Sequence, residues 1–188
     1  MKDTDGKDTN QSAYFSGTNR NKRSLTLDLS SEEGQSIARE LISKSDILVE
    51  NFKVGTLKKY NLDYESLKDQ FPDLIYCSIT GFGQTGPYAS RPAYDALVQA
   101  MGGVMSLTGE PDGEPMKVGV SIADLMAGMY ATVSILAALR HRDKTNQGQH
   151  LDISMLDAHV AWLANQGMNY LATGSNPDRL GNQHPNIL

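Results

Sequence analysis

The sequence predicts an α/β protein: a parallel sheet with flanking helices. Two observations carry that expectation. Short apolar runs rich in β-branched and aromatic residues alternate with helical stretches, in the order strand–helix–strand–helix–strand. The runs are also apolar on both faces, as strands covered on both sides by crossover helices must be. At 188 residues the chain is long enough for one good core, and length suggests one domain or at most two.

From the amino end, residues Met1 to Ser12 are polar and charged without periodicity, and 1–13 reads as a disordered or irregular lead-in. Organisation begins at Tyr14. A basic turn, Asn19-Arg-Asn-Lys-Arg23, feeds Ser24-Leu-Thr-Leu-Asp-Leu29, whose alternation predicts a strand. Ser30-Ser-Glu-Glu33 is a capping-box signature. It predicts a helix to about Lys44 with Ile37, Leu41 and Ile42 facing inward. Asp46-Ile-Leu-Val49 is a short buried strand running into Glu50-Asn-Phe52. Short helices are expected over Gly55–Tyr60 and Asp63–Phe71, where Pro72-Asp73 breaks the second, and Leu74 to Thr80 is the next strand.

Gly81-Phe-Gly-Gln-Thr-Gly-Pro87 follows at the carboxyl end of that strand, the edge at which open parallel sheets bind ligands. Its glycine spacing fits no dinucleotide fingerprint, and no P-loop motif occurs in the chain. Tyr94 to Met101 is helical, with Gly102-Gly103 as an interruption or kink, and Gly109–Pro115 is turn-rich. The long helix that follows opens near Ser121 and runs through Leu139. Leu125, Met129, Val133 and Leu136 form a helical stripe on it, and Ala127, Gly128, Ala131 and Ala138 form a small-residue face suited to close packing. The run reaches the nominal length of a membrane span. Its small residues, its first-turn Asp124 and the Arg140-His-Arg142 that follows favour a buried core helix. Lys144–Gly148 is a turn, Gln149–Ser154 a strand, Leu156–Leu171 a helix, and the remainder loop.

A net charge of −5 argues against nucleic-acid partners and a polybasic membrane surface. The lone Cys77 makes no intrachain disulfide, fits a reducing compartment and lies in a strand pattern that assigns it to packing. The four histidines, His141, His150, His159 and His184, show no ligand spacing, so no metal site is expected. No nucleophile elbow of the hydrolase type is present. Two carboxylates stand out, Asp95 after the glycine loop and Asp124. Asp124 lies three residues after Ser121, near N3 of the long helix, where a carboxylate faces free N–H groups and the positive end of the helix dipole. Two readings stand at that point: a simple cap, the commoner role, or a reactive carboxylate at the lip of a buried helix. Lys22, Arg23, Lys53, Lys58 and Lys59 cluster near strand ends and by themselves read as a solvated rim.

Several segments together resemble the family III CoA-transferases, the group that includes formyl-CoA:oxalate, carnitine and succinyl-CoA:dicarboxylate CoA-transferases. They are Asn19–Ser24, Val49-Glu-Asn-Phe52, Tyr76–Pro87, Arg91-Pro-Ala-Tyr-Asp95, Leu107-Thr-Gly109, Ala123–Gly128 and Gly148–Ser154. The resemblance implies a Rossmann-like large domain over 14–188, incomplete because it lacks the family's N-terminal strand–helix unit and its C-terminal small domain. The chain is therefore expected to be a fragment. It implies transfer of CoA from an acyl-CoA thioester to a carboxylic acid, with coenzyme A entering as substrate and Asp124 as the covalent nucleophile. It also implies CoA contacts at Leu27, Ser30, Asn51, Phe52, Lys53, Lys59, Tyr94 and Asp95. At two of these the chain departs from a transferase relative, which has lysine at Ser30 and arginine at Lys59. A cytoplasmic, interlocked homodimer is expected of the full-length parent. Acyl-CoA racemases of the same superfamily have a histidine where Tyr94 stands, which disfavours a proton shuttle here. A non-catalytic CoA-binding fragment is the third reading.

Overall fold

The computed structural model describes residues 1–2, 4–10 and 12–187. Its centre is a three-stranded parallel sheet in the order β1-β2-β3, formed by β1 (Ile47–Glu50), β2 (Ile75–Thr80) and β3 (Gln149–Ser154). Ile47 pairs with Ile75, and Ile75 in turn with Gln149, so all three strands point their carboxyl ends to one edge. The middle strand is buried on both faces because both are covered, with Ser78 and Thr80 as its polar residues.

Side chains on the two faces of β2 enter two separate cores. On one face Tyr76 joins Ile42 of α2 (Glu32–Ile42), Leu57 of the 3₁₀ turn Leu57–Tyr60, Leu62, Leu67 of α3 (Tyr64–Leu67) and Leu74. The Tyr76 hydroxyl donates to the Leu62 carbonyl at 3.0 Å, so the buried phenol is satisfied. On the other face Ile79 and Ile153 pack against Val98 of α4 (Asp95–Met101), Ala123 and Ala127 of α6 (Ile122–Thr145), and Met155 of α7 (Met155–Ala161). The interruption expected at Gly102-Gly103 is present: α4 ends at Gly102, and α5 (Val104–Leu107) starts after Gly103, at φ +92°.

Several sequence expectations are corrected. Ser24–Leu29 is not a strand, for it pairs with none of the three, and a strand without a ladder partner has no hydrogen bonds to hold it. The helix after it is capped by Ser31, whose Oγ accepts from the Gly34 N–H at 3.0 Å, one residue later than the capping-box register. Ser30 is diverted because Asp28 Oδ1 accepts from both its N–H and its hydroxyl. Of the three residues expected to face inward from α2, Ile42 is buried, while Ile37 and Leu41 are exposed. The helix expected over 156–171 is two, α7 and α8 (Ala164–Thr173), separated by a turn at Trp162-Leu163 with Ala164 at φ +48°. At the start of the chain, Lys2 forms an isolated antiparallel bridge with Asp8, and Ser12 caps a short helix, α1 (Ala13–Thr18).

The long helix packs by its small-residue face, as expected, with Gly128 alone of that set exposed. Its buried side chains are Ile122, Ala123, Ala127, Ala131 and Ala138, while Leu125, Met129, Val133 and Leu136 are all more than half exposed. The small face is what lets α6 lie close to β2, β3, α4 and α7 at once. Among the described residues α6 is the one helix long and apolar enough by composition to cross a membrane.

Candidate active site

Ser121 occupies the N-cap position of α6, but its side chain makes no capping bond. The cap comes from another helix. Asp95, the first residue of α4, points Oδ1 at the amino end of α6 and accepts from the Ala123 N–H at 2.8 Å and the Asp124 N–H at 3.4 Å. Its Oδ2 accepts from Gln99 Nε2 at 2.6 Å. Asp124 is thereby relieved of capping its own helix, and its side chain is exposed beside the capped turn. Partial desolvation, and after it the nearby Asp95 charge, push the Asp124 carboxyl above the ordinary aspartate range.

A cleft of about 280 Å³ opens at the carboxyl edge of the sheet, where the topology predicts a ligand. Four of the eight sequence-predicted CoA contacts line it: Asn51, Phe52, Lys53 and Tyr94. Asn51 is anchored by an Nδ2 bond to the Ile79 carbonyl, and the Phe52 N–H donates to Glu50 Oε2 at 2.8 Å. The Phe52 and Tyr94 rings stay open to solvent. The other four lie elsewhere. Asp95 is the α6 cap, Ser30 bonds Asp28, Leu27 is half-buried in the segment before α2, and Lys59 is exposed on the 3₁₀ turn.

The cleft also holds residues that the sequence reading passed over. Arg91 lines it, with its guanidinium 4.3 Å over the Tyr88 ring, which fixes the cation at the rim. Thr80 lines it too, and its buried Oγ1 has no hydrogen-bond partner. Lys53 and Arg91 give the cleft two positive charges, and Lys53 also borders a neighbouring cavity of about 320 Å³ that contains Lys58. The glycine loop shapes this wall: a Cβ on Gly81 would stand 2.2 Å from the Ala93 Cβ, so only glycine lets the two segments approach. Tyr94 lines the cleft and its chain neighbour Asp95 bonds the amide of Asp124, so cleft and carboxylate share one scaffold. Among the described residues no group of three His, Cys, Asp or Glu is placed to hold a metal.

That scaffold can hold an anionic ligand in the cleft, with the Asp124 backbone tied to it through Asp95. The model of CoA-transferase family III matches residues 2–188. The chain belongs to that family. It is 56% identical over 175 residues to the succinate–glutarate CoA-transferase of Agrobacterium fabrum, covering 93% of this chain and 44% of that protein. It is 47% identical to the acetyl-CoA:oxalate CoA-transferase of Acetobacter aceti, covering 93% of this chain and 45% of the relative. The crystal structure of a CAIB/BAIF family protein from Brucella suis superposes with a TM-score of 0.89 at 56% identity, over 93% of this chain and 46% of that one. The orthorhombic structure of Rv3272 from Mycobacterium tuberculosis gives 0.75 at 33% identity, over 82% of this chain and 44% of that one. The chain spans about half the length of the curated relatives it matches.

Proposed function

We propose that this chain carries the nucleophile and part of the CoA site of an acyl-CoA:carboxylate CoA-transferase acting on dicarboxylic acids. The observation that carries the reading is Asp124: a carboxylate freed from capping, whose amide is held by Asp95, the chain neighbour of the cleft residue Tyr94, in a chain of this family. The relatives' names, succinate–glutarate and acetyl-CoA:oxalate CoA-transferase, support the substrate class.

The Asp124 carboxylate attacks the thioester carbonyl of the donor. The C–S bond breaks, CoA leaves as thiolate, and a mixed anhydride joins Asp124 to the acyl group. The thiolate returns to the aspartyl carbonyl, releases the donor acid as carboxylate and leaves an aspartyl-CoA thioester. The acceptor carboxylate attacks that thioester and expels thiolate, which then attacks the acceptor's carbonyl in the new anhydride. The product is the new acyl-CoA, Asp124 is restored, and no net proton moves. Lys53 and Arg91 suit phosphate or carboxylate groups, Arg91 with a fork that lysine lacks. Phe52 and Tyr94 offer open ring faces to the rest of the ligand.

The test is conversion of succinyl-CoA and glutarate to glutaryl-CoA, with hydroxylamine added to trap the acylated enzyme. A hydroxamate on Asp124, found by peptide mass spectrometry, and loss of turnover in Asp124→Asn are the expected results. Full turnover in Asp124→Asn refutes the mechanism. Exchange of the α-proton of a branched acyl-CoA without trapping would establish a racemase, and CoA binding with neither outcome a non-catalytic module. The exposed stripe Leu125, Met129, Val133 and Leu136 supports a homodimer, checked by light scattering. A cytoplasmic location completes the reading and is checked by cell fractionation.

A further inference from the structure

Gln99 is fully buried, and each of its amide atoms is engaged. Its Oε1 accepts from the Val118 N–H at 2.8 Å. Its Nε2 donates to Asp95 Oδ2 at 2.6 Å and reaches the Val120 carbonyl at 3.4 Å. Those partners fix which end of the amide is oxygen, since an N–H must meet an acceptor and a carboxylate must meet a donor. One side chain thus joins three things: the segment leading into α6, the carboxylate that caps α6, and α4 itself. Asp124 sits on the turn that this arrangement holds. Gln99 is not among the residues lining the cleft.

We propose that Gln99 is the positioning residue for the Asp124 nucleophile, acting through Asp95 and through residues 118–120. The role rests on the CoA-transfer reading above. Asp95 alone can cap α6, but its carboxylate could turn about its own side-chain bonds; the Gln99 amide holds it at one orientation. The same amide ties Val118 and Val120, so the chain enters α6 on a fixed path. A nucleophile that must approach a thioester carbonyl carbon at a set angle gains from such support, because a misplacement of about 1 Å costs on the order of 100-fold in rate.

The experiment uses Gln99→Met and Gln99→Glu in the protein that carries this sequence, assayed for succinyl-CoA:glutarate transfer at two pH values. Gln99→Met fills the same volume but makes no bond to Asp95 or Val118. It is expected to lower kcat about 10- to 100-fold at both pH values, with KM for acyl-CoA within about threefold of the parent. Gln99→Glu separates positioning from packing. The titratable groups around the introduced carboxyl are Asp95 on the same helix, Asp124 on α6 and His159, which packs on Gly102 of α4 from α7. Burial and the Asp95 charge both favour the protonated form of the new carboxyl, so it holds its proton at the lower pH and is driven to ionise as pH rises. Protonated, it can donate to Asp95 and accept from Val118 as the amide does; ionised, it repels Asp95. The expected signature is parent-like kcat at the lower pH and a loss of 10-fold or more at the higher one, in protein whose melting curve shows it folded at both. Parent-like kcat in both variants at both pH values overturns the proposal. So does a loss in Gln99→Glu that is equal at the two pH values. A parent protein that transfers no CoA and forms no Asp124 hydroxamate overturns the functional reading, and this role with it; an active parent with unaffected variants overturns the role of Gln99 alone.

Discussion

Replacing Asp95 by alanine tests the central structural claim, that α6 is capped from α4 and not by its own residues. Three contributions are lost in Asp95→Ala. The bonds to the Ala123 and Asp124 N–H groups are those of an N-cap, worth about 1 kcal/mol. The negative charge at the positive end of a 24-residue helix adds roughly 0.3–1 kcal/mol. The buried Gln99 Nε2 also loses its short bond and keeps only the 3.4 Å contact to the Val120 carbonyl, at a further cost of about 1–2 kcal/mol. Relief of the repulsion on Asp124 offsets a small part, which leaves a net loss of about 2–3 kcal/mol. For a chain of this length that lowers Tm by roughly 5–10 °C. Asp95→Asn keeps one oxygen for the α6 amides but sets an –NH₂ against that of Gln99, so it is expected to fall between alanine and parent. Thermal unfolding followed by circular dichroism reads both, and NMR titration of Asp124 reads the second consequence: without the Asp95 charge its carboxyl falls back toward the ordinary value. An Asp95→Ala protein that melts within about 1 °C of the parent, with Asp124 titrating unchanged, would show that α6 needs no cap from α4.

Three further outcomes are expected. Asp124→Asn should raise Tm slightly at neutral pH, by about 1–3 °C. The Asp124 carboxyl is pushed up in the fold, so ionised Asp124 costs stability at pH values above its folded pKa. The cost shrinks as pH falls through that value and is gone below the unfolded one, so the two melting curves should converge in acid; a gap that widens in acid contradicts the assignment. Gly148→Ala would place a Cβ 2.1 Å from the Leu74 carbonyl oxygen, beside the 2.8 Å bond from the Gly148 N–H to Pro72, and should cost about 1–3 kcal/mol in denaturant titration. Cys77 is completely buried, and burial pushes its thiol up to about 11; a thiol reagent at pH 7.5 should therefore label it only at the rate of unfolding, and labelling at the rate of a free thiol would refute its place in the core.

The strands were legible because each is a short β-rich run; Ile75-Tyr-Cys-Ser-Ile-Thr80, buried on both faces, needed no partner information to be read, while β1 and β3 are only partly covered, with Val49 and Asp152 exposed. Ser24–Leu29 shows the limit of the same rule. Alternation describes a side-chain pattern, whereas a strand is a hydrogen-bonded pair, and the partner is not written in the segment. The break at Trp162-Leu163 carries no Gly or Pro and was invisible for that reason. In the site, Asn51, Phe52, Lys53 and Tyr94 could be placed only through the family resemblance, because a loop's cleft depends on which other loops face it. Arg91 stood inside a motif that the sequence reading quoted, and its position over Tyr88 depends on a turn three residues earlier. Gln99 had one local signal, its spacing of four from Asp95 on a helix. Its bonds to Val118 and Val120 join positions about twenty apart, and no local pattern encodes them.

The small-residue face of α6 explains how those distant parts meet. A helix that turned Leu125, Met129 and Val133 toward the sheet would be held off by their bulk. Turning Ala123, Ala127 and Ala131 inward brings its axis close, and the face is continuous because these residues fall four apart. Ala123 then packs in the same cluster as Ile79 of β2 and Ala93, and Ala93 is itself a wall of the cleft. The Ala123 N–H, on the same residue, is the one that Asp95 holds at 2.8 Å. Close helix–sheet packing therefore places the first turn of α6 against the back of the ligand cleft, and the next residue in the chain is Asp124. The large apolar side chains left outside by this choice are a consequence of it: the same rotation that seats Ala123 against the sheet and brings Asp124 to the Asp95 carboxylate leaves a hydrophobic stripe on the outer surface of α6.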